Sequence, residues 1–196
     1  TGTPSSIPTS TPSSTPTSTP TAIPTVVPTR TPSIAPTLPP NACRANDDPN
    51  ASVLGNEQWD WLDRTLEESK ADIVIILSSI QILATNHRFE KWSNFTVDRK
   101  KLLTRIDGLM QDKKVILISG DRHRAGLYQK GNLIEITASA LNKGSSRPIE
   151  TDPLLLGKTY PQTNFGVLNI EPSKNIITLS INNKDGKELE SKVINL

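Results

Sequence analysis

Apolar positions follow a helical period in two stretches of the chain and run almost unbroken in two others. Over residues 55–69 (GNEQWDWLDRTLEES), Trp59, Leu62 and Leu66 recur at i, i+3 and i+7, which predicts an amphipathic helix with Asn56 as its cap. Residues 72–83 (DIVIILSSIQIL) are β-branched and nearly all apolar at their start, the pattern of a strand covered on both faces. A second amphipathic helix is predicted over 96–111, on Val97, Leu102, Leu103, Ile106 and Leu109/Met110. A second buried strand follows, KVILIS at 114–119, and runs directly into Gly120-Asp121-Arg122-His123. Shorter strands are predicted at 133–137, 165–170, 176–181 and near 188–194, with Asp185-Gly186 turning the chain between the last two. Two helices, buried strands and a run of later strands predict an α/β layered core with an antiparallel C-terminal extension. Two strongly buried strands need neighbours on both edges and cover on both faces, so this core reads as part of a larger sandwich.

Composition divides the chain of 196 residues unevenly. Proline stands at every fourth position from Pro4 to Pro40, among Thr and Ser, with Arg30 as the one charged residue of that stretch. Each proline removes an amide donor and disfavours helix in the residue before it, so helix and ladder are both excluded and an extended polyproline-like chain is expected. Residues 1–43 therefore read as a Thr/Pro/Ser-rich stalk or as a plain disordered linker, and 44–196 as the folded part. The formal net charge of +2 suggests no nucleic-acid patch, and no apolar run reaches the ~18 residues of a membrane span. A single cysteine, Cys43, excludes an internal disulfide framework, and Asn41-Ala42 before it lacks the pattern of a lipoprotein signal. A chain that begins without Met, inside a repeat, reads as cut from something longer.

In open α/β sheets, ligands collect at the carboxyl ends of the strands. Gly120 is expected to turn the chain sharply after 114–119. Asp121 and His123 then offer an oxygen and an imidazole nitrogen two residues apart, a spacing that suits a shared metal and equally a capped turn beside an ordinary polar residue. Arg122 has the planar fork that meets a phosphate. Ser78-Ser79-Ile80-Gln81 is the other polar strand end; these residues either face the site or hydrogen-bond within the sheet. The remaining histidine, His87, lies in a polar loop and reads as solvent-exposed, with Trp92 and Phe95 as packing or lid residues. Asn50-Ala51-Ser52 and Asn94-Phe95-Thr96 fit N-glycosylation sequons. There is no Gly-rich phosphate loop, nucleophile elbow or paired-cysteine motif.

The ordered series LGNEQWDWLDRTL, IVIILSSIQIL, EKWSNF, VILISGDRH, ITASALN, TDPLLLG and NFGVLNIE resembles the C-terminal half of alkaline phosphatase D-type (PhoD-like) phosphoesterases, within the calcineurin-like metallophosphoesterase superfamily. The resemblance covers roughly residues 44–190. It implies a four-layer α/β/β/α sandwich, seen here in part, and hydrolysis of phosphate monoesters or diesters. It also implies a centre of two or more metal ions (iron, calcium, zinc or manganese) that polarise the phosphoryl oxygen and supply a hydroxide nucleophile. The superfamily usually ends its metal motifs with Gly-His-x-His, and members of this family often carry Gly-Asp-x-His. Gly120-Asp121-Arg122-His123 stands at that position, so Asp121 and His123 fall where metal is bound, with His123 the stronger donor and Arg122 a possible contact for phosphate.

One departure accompanies the resemblance. The family's other ligands, an N-terminal aspartate motif, a second aspartate or asparagine and an Asp-Asp-His stretch, lie upstream of the matched segment, where this chain carries its Pro/Thr repeat. Asp47-Asp48 is too close to the first helix to replace them. Two expectations follow: a metal-dependent phosphoesterase that is weak or inactive as this chain alone, or a stalked, non-catalytic extracellular module derived from the family. The repeat and the resemblance together imply an extracellular, periplasmic or cell-surface location.

Overall fold

The structure, a computed structural model, describes residues 43, 45–145 and 149–196. The expected stalk therefore lies outside the described residues, apart from Cys43. The elements run α1 (Asn56–Glu68), β1 (Ile73–Ser78), a single 3₁₀ turn (Trp92–Asn94), α2 (Thr96–Leu109), β2 (Lys114–Ser119), β3 (Ala125–Lys130), β4 (Leu133–Ala138), β5 (Leu155–Tyr160), β6 (Asn164–Glu171), β7 (Ile176–Asn183) and β8 (Glu188–Asn195). They form a five-stranded sheet in the order β1-β2-β4-β3-β5 and a three-stranded sheet in the order β6-β7-β8. β1, β2 and β4 are parallel, β3 runs antiparallel between β4 and β5, and the second sheet is wholly antiparallel.

Period-two burial along β2 explains the layers. Val115 and Leu117 pack with Trp59 of α1 and with Leu102, Leu103 and Ile106 of α2. Ile116 packs from the opposite face with Ile134, Ile136, Leu127 and the Ile177, Leu179 and Ile181 stripe of β7. The expected α/β core with an antiparallel C-terminal extension is what is found: helices, mixed sheet, antiparallel sheet. Asp98, in the first turn of α2, ties the helix layer together by accepting from Ser52 Oγ (2.6 Å), the Val53 amide (2.7 Å) and Trp59 Nε1 (3.2 Å). Trp59 meets Trp92 edge to face at 6.3 Å, which gives Trp92 the packing role its sequence suggested.

Several local expectations need correction. Gly55, not Asn56, precedes the first turn of α1, and no side chain caps that turn. Val97 is exposed, so the buried stripe of α2 starts at Leu102. The run 72–83 is not one strand buried on both faces. β1 stops at Ser78, lies at one end of the sheet order, is half-buried for most of its length, and exposes Leu77. The fully buried part of that run is the irregular segment that follows, with Gln81, Ile82, Leu83 and Ala84 at 0% exposure. The peptide groups of Ile82 and Leu83 bond to side chains rather than to a strand. Glu135 of β4 accepts from the Ile82 and Leu83 amides at 2.9 and 2.6 Å, while Arg99 of α2 donates to their carbonyls at 2.7 and 2.8 Å. A buried backbone needs such partners, and here one carboxylate and one guanidinium supply all four. β3 and β5 complete the first sheet and had no counterpart in the sequence pattern.

Candidate functional site

β1, β2 and β4 are in parallel register from Ser78 through Ser119 to Thr137, so their carboxyl ends open on one edge. The chain leaves β2 there, passes over β4 and returns as β3, and residues 120–124 form that passage. The sharp turns fall on Asp121 (φ 57°) and His123 (φ 52°), both in the left-handed region, and Gly120 is not among the positive-φ residues. A Cβ on Gly120 would meet Ser139 and Ser79 only at 3.9 Å. The expectation that Gly120 supplies the turn is therefore corrected: two non-glycine residues carry the left-handed backbone, a feature that concentrates at functional sites.

This alternation sorts the loop. Asp121 and His123 are exposed; Arg122 and Arg124 are buried, at 7% and 2%. Asp121, Arg122, His123 and Arg124 line one cleft of about 220 Å³ with Phe89 and Ser145. The Arg122 amide donates to Ser139 Oγ at 2.7 Å and its Nε to Gln81 Oε1 at 3.0 Å. Gln81 in turn donates to Thr137 Oγ1 at 2.8 Å, and Thr137 shares a 2.8 Å hydroxyl contact with Ser119. Arg122 Nη2 donates to both oxygens of Glu150, at 2.7 and 2.6 Å, and Arg124 Nε stands 3.6 Å from the same carboxylate. The Phe89 ring lies over the Arg122 guanidinium at 4.7 Å, a cation–π geometry.

Phe89 is carried by a loop that is itself pinned. Lys91 Nζ donates to the carbonyls of His87 (2.6 Å) and Phe89 (3.3 Å). Asp152 accepts from the amides of Thr85 (2.6 Å) and Asn86 (2.8 Å). Burial pushes the Asp152 carboxyl upward, but these amides and that of Leu154 outweigh it and hold the group below its ordinary range. Glu135 is pushed upward by complete burial, against the hydrogen bonds that favour its charged form. His87 is not the solvent-exposed loop residue expected. It is half-buried, its Nδ1 accepts from the Phe89 amide at 3.2 Å, and its Nε2 is buried with no hydrogen-bond partner. Burial, then the nearby Arg122 and Lys91 charges, push its pKa down to about 3. The His87 ring lies 6.1 Å from that of Phe89, and His87 does not line the cleft.

Ser78 and Gln81 resolve the second polar strand end. Ser78 Oγ accepts from Trp92 Nε1 (2.9 Å) and donates to the Ile80 carbonyl (2.7 Å), an internal role. Gln81 reaches the site through Arg122. Asn94 is buried, donates to the Cys43 carbonyl at 2.7 Å and accepts from the Lys91 amide, so its sequon is closed in the folded chain, whereas Asn50 is exposed. Phe89, Arg124 and Ser145 of the cleft, and Glu150 against its two arginines, are residues the sequence did not single out. Arg124 had a weak signal, as the alternate residue after Arg122; Glu150 had none.

A catalytic metal centre normally draws three protein ligands and keeps an open position. Asp121 and His123 offer two donors on the cleft rim, and among the described residues no group of three His, Cys, Asp or Glu is gathered. Those residues do not by themselves fit a catalytic metal centre. No helix among them is long and apolar enough to cross a membrane.

No curated protein matches the chain in sequence. Among solved structures, the fold is similar to PhoD, with a TM-score of 0.59 and 15% identity, over 78% of this chain and 34% of that one. It is also similar to GAP50, described as the anchor in the inner membrane complex of Plasmodium, with a TM-score of 0.53 and 16% identity, over 71% of this chain and 42% of that one. The chain thus spans about a third to two fifths of these neighbours, and the likeness establishes a shared fold. The model of the PhoD-like phosphatase family matches residues 24–176, beginning inside the Pro/Thr repeat and ending at the start of β7. The Gly-Asp-Arg-His passage and the sheet that presents it lie within that match, and the chain belongs to the PhoD-like phosphatase family.

Proposed function

We propose that the protein belongs to a metal-dependent phosphoesterase acting on phosphate monoesters or diesters, to which this chain contributes one wall of the active site. In this proposal Asp121 and His123 are metal donors, and iron, calcium, zinc and manganese are the ions to test. Further donors complete the set. Arg122 orients the phosphoryl group of the substrate in this reading. The observation that carries the proposal is the alternation in residues 121–124, which puts two donors on the rim and two guanidinia behind them in the same cleft. Such an arrangement supports a division of labour in which the rim binds cations and the interior binds and aligns a phosphate.

The test is turnover of p-nitrophenyl phosphate with each metal added in turn. The 196-residue chain should stay near background, because two donors do not hold a catalytic centre. A longer form that supplies further donors should turn over, and His123→Ala in that form should abolish most of it while circular dichroism stays unchanged. Robust metal-dependent hydrolysis by the 196-residue chain would show that other ligands within it had gone unrecognised. An active His123→Ala longer form would remove the metal role.

A second function class is a stalked, non-catalytic binding module. The two-donor rim favours it, and a protein described as an anchor has a similar fold. It predicts that no metal and no added segment restores turnover. In both cases the composition of residues 1–43 supports a stalk and an extracellular, periplasmic or cell-surface location, which cell fractionation and surface proteolysis test directly.

A further inference from the structure

The two arginines of the cleft are braced independently of the carboxylate they share. Arg122 is held at its amide by Ser139, at Nε by Gln81, and over its face by Phe89. Gln81 is at 0% exposure and is fixed by Thr137. Arg124 donates to Thr159 Oγ1 and Ser145 Oγ, each at 3.3 Å. Glu150 differs: its amide rests on Thr159 Oγ1 at 3.1 Å, and its side chain is 22% exposed, against 5% and 2% for the side chains it bridges. Two guanidinia are thus the fixture, and the carboxylate is the part that can leave.

Charge gives the same assignment. A phosphate dianion carries one more negative charge than the carboxylate to set against the two buried guanidinia, and it presents more acceptor oxygens to the same donors. Donors already fixed in place cost little to reuse for a second anion.

We propose that Arg122 and Arg124 form an oxyanion site for the phosphate group of substrate or product, and that Glu150 is its intramolecular occupant, which phosphate must displace. This deepens the phosphoesterase proposal and rests on it for the source of the phosphate. Anion binding itself requires neither metal nor turnover. Glu150 then sets phosphate affinity: it keeps the guanidinia paired when the cleft holds no ligand and weakens retention of the product.

The experiment is calorimetric titration of inorganic phosphate into the full chain without divalent metal, against chloride at equal ionic strength, with thermal shift as a second readout. Glu150→Gln, which keeps shape and removes charge, should bind phosphate at least about tenfold more tightly than the parent chain. It should also gain more thermal stability from phosphate. Adding Arg122→Gln to that variant should remove the gain. Equal affinity in the parent and Glu150→Gln, or a gain that survives Arg122→Gln, overturns the inference and leaves Glu150 a structural brace. If Glu150→Gln does not fold in chloride, refolding in phosphate reads the same claim: recovery in phosphate supports it, and equal failure in both salts overturns it. A chain that binds phosphate in this way but never hydrolyses an ester, even with further donors supplied, retains the inference and loses the phosphoesterase proposal.

Discussion

Two sets of polar residues meet at the carboxyl end of β2, and they are built in opposite ways. Behind the loop, Ser119, Thr137, Gln81, Arg122 and Glu150 form a continuous chain of hydrogen bonds, and Glu135 with Arg99 clasps residues 82–83 beside it. On the rim, Asp121 and His123 are exposed and held in left-handed backbone. Interior polar groups are expensive to bury, so each is matched, and removing one leaves its partners unpaired. The rim residues have little buried contact to lose. The difference separates the two sets by stability: interior substitutions should cost stability, with Arg122 and Glu150 acting on phosphate as well, whereas rim substitutions should act on ligand binding alone.

The largest effect should come from Glu135→Ala. It leaves the Ile82 and Leu83 amides buried without an acceptor, and should cost roughly 3 kcal/mol or more by denaturant unfolding. A loss under about 1 kcal/mol would show that this interior is not the brace described.

His87 extends the comparison to pH. Its folded-state pKa of about 3 lies below the ordinary histidine value of 6.5. Between those values the unfolded chain takes up a proton that the folded chain refuses. Its contribution is therefore fully present above about pH 6.5 and is lost as pH falls toward 3. Partial exposure keeps the slope well under the about 1.4 kcal/mol per pH unit of one fully differential proton. His87→Asn, which keeps an acceptor for the Phe89 amide, should flatten the stability profile over that window relative to the parent. An unchanged profile would contradict the burial of Nε2.

Asp121→Ala and His123→Ala should each shift stability by no more than about 0.5 kcal/mol, as exposed residues without interior partners. A loss above about 1.5 kcal/mol in either would move that residue into the interior set. The smallest effect belongs to Gly120→Ala, which meets its neighbours at ordinary contact distance and should be near neutral in thermal unfolding.

The sequence disclosed what depends on local periodicity. Both helices, β2, β4 and all three strands of the second sheet were legible because apolar residues alternate or recur at the right spacing. The Gly-Asp-Arg-His passage was legible because an apolar run ends there abruptly. β3 (AGLYQK) was missed because its apolar run is short and opens with Ala-Gly. β5 (LLGKTY) was missed because Gly157, at φ 61°, interrupts it. β1 was overextended because Ile80–Leu83 are as apolar as a strand, and only the nonlocal Glu135 and Arg99 contacts show why they are not one. Glu150 was illegible for the same reason. It meets Arg122 across 28 positions, and nothing near it in the sequence announces a partner.

In the proposed function, Asp121 and His123 at the rim are where a cation binds. The protein has two histidines, His123 on the rim and His87 beside Phe89 and outside the cleft lining, so the two can be compared directly. Imidazole nitrogen resonances, recorded while Mn²⁺ is added, report on both at once. In that proposal the His123 signals should broaden first and Asp121→Ala should suppress the effect, with His87 unaffected at the same concentration. Broadening of His87 before His123, or broadening of His123 that persists unchanged in Asp121→Ala, would contradict it.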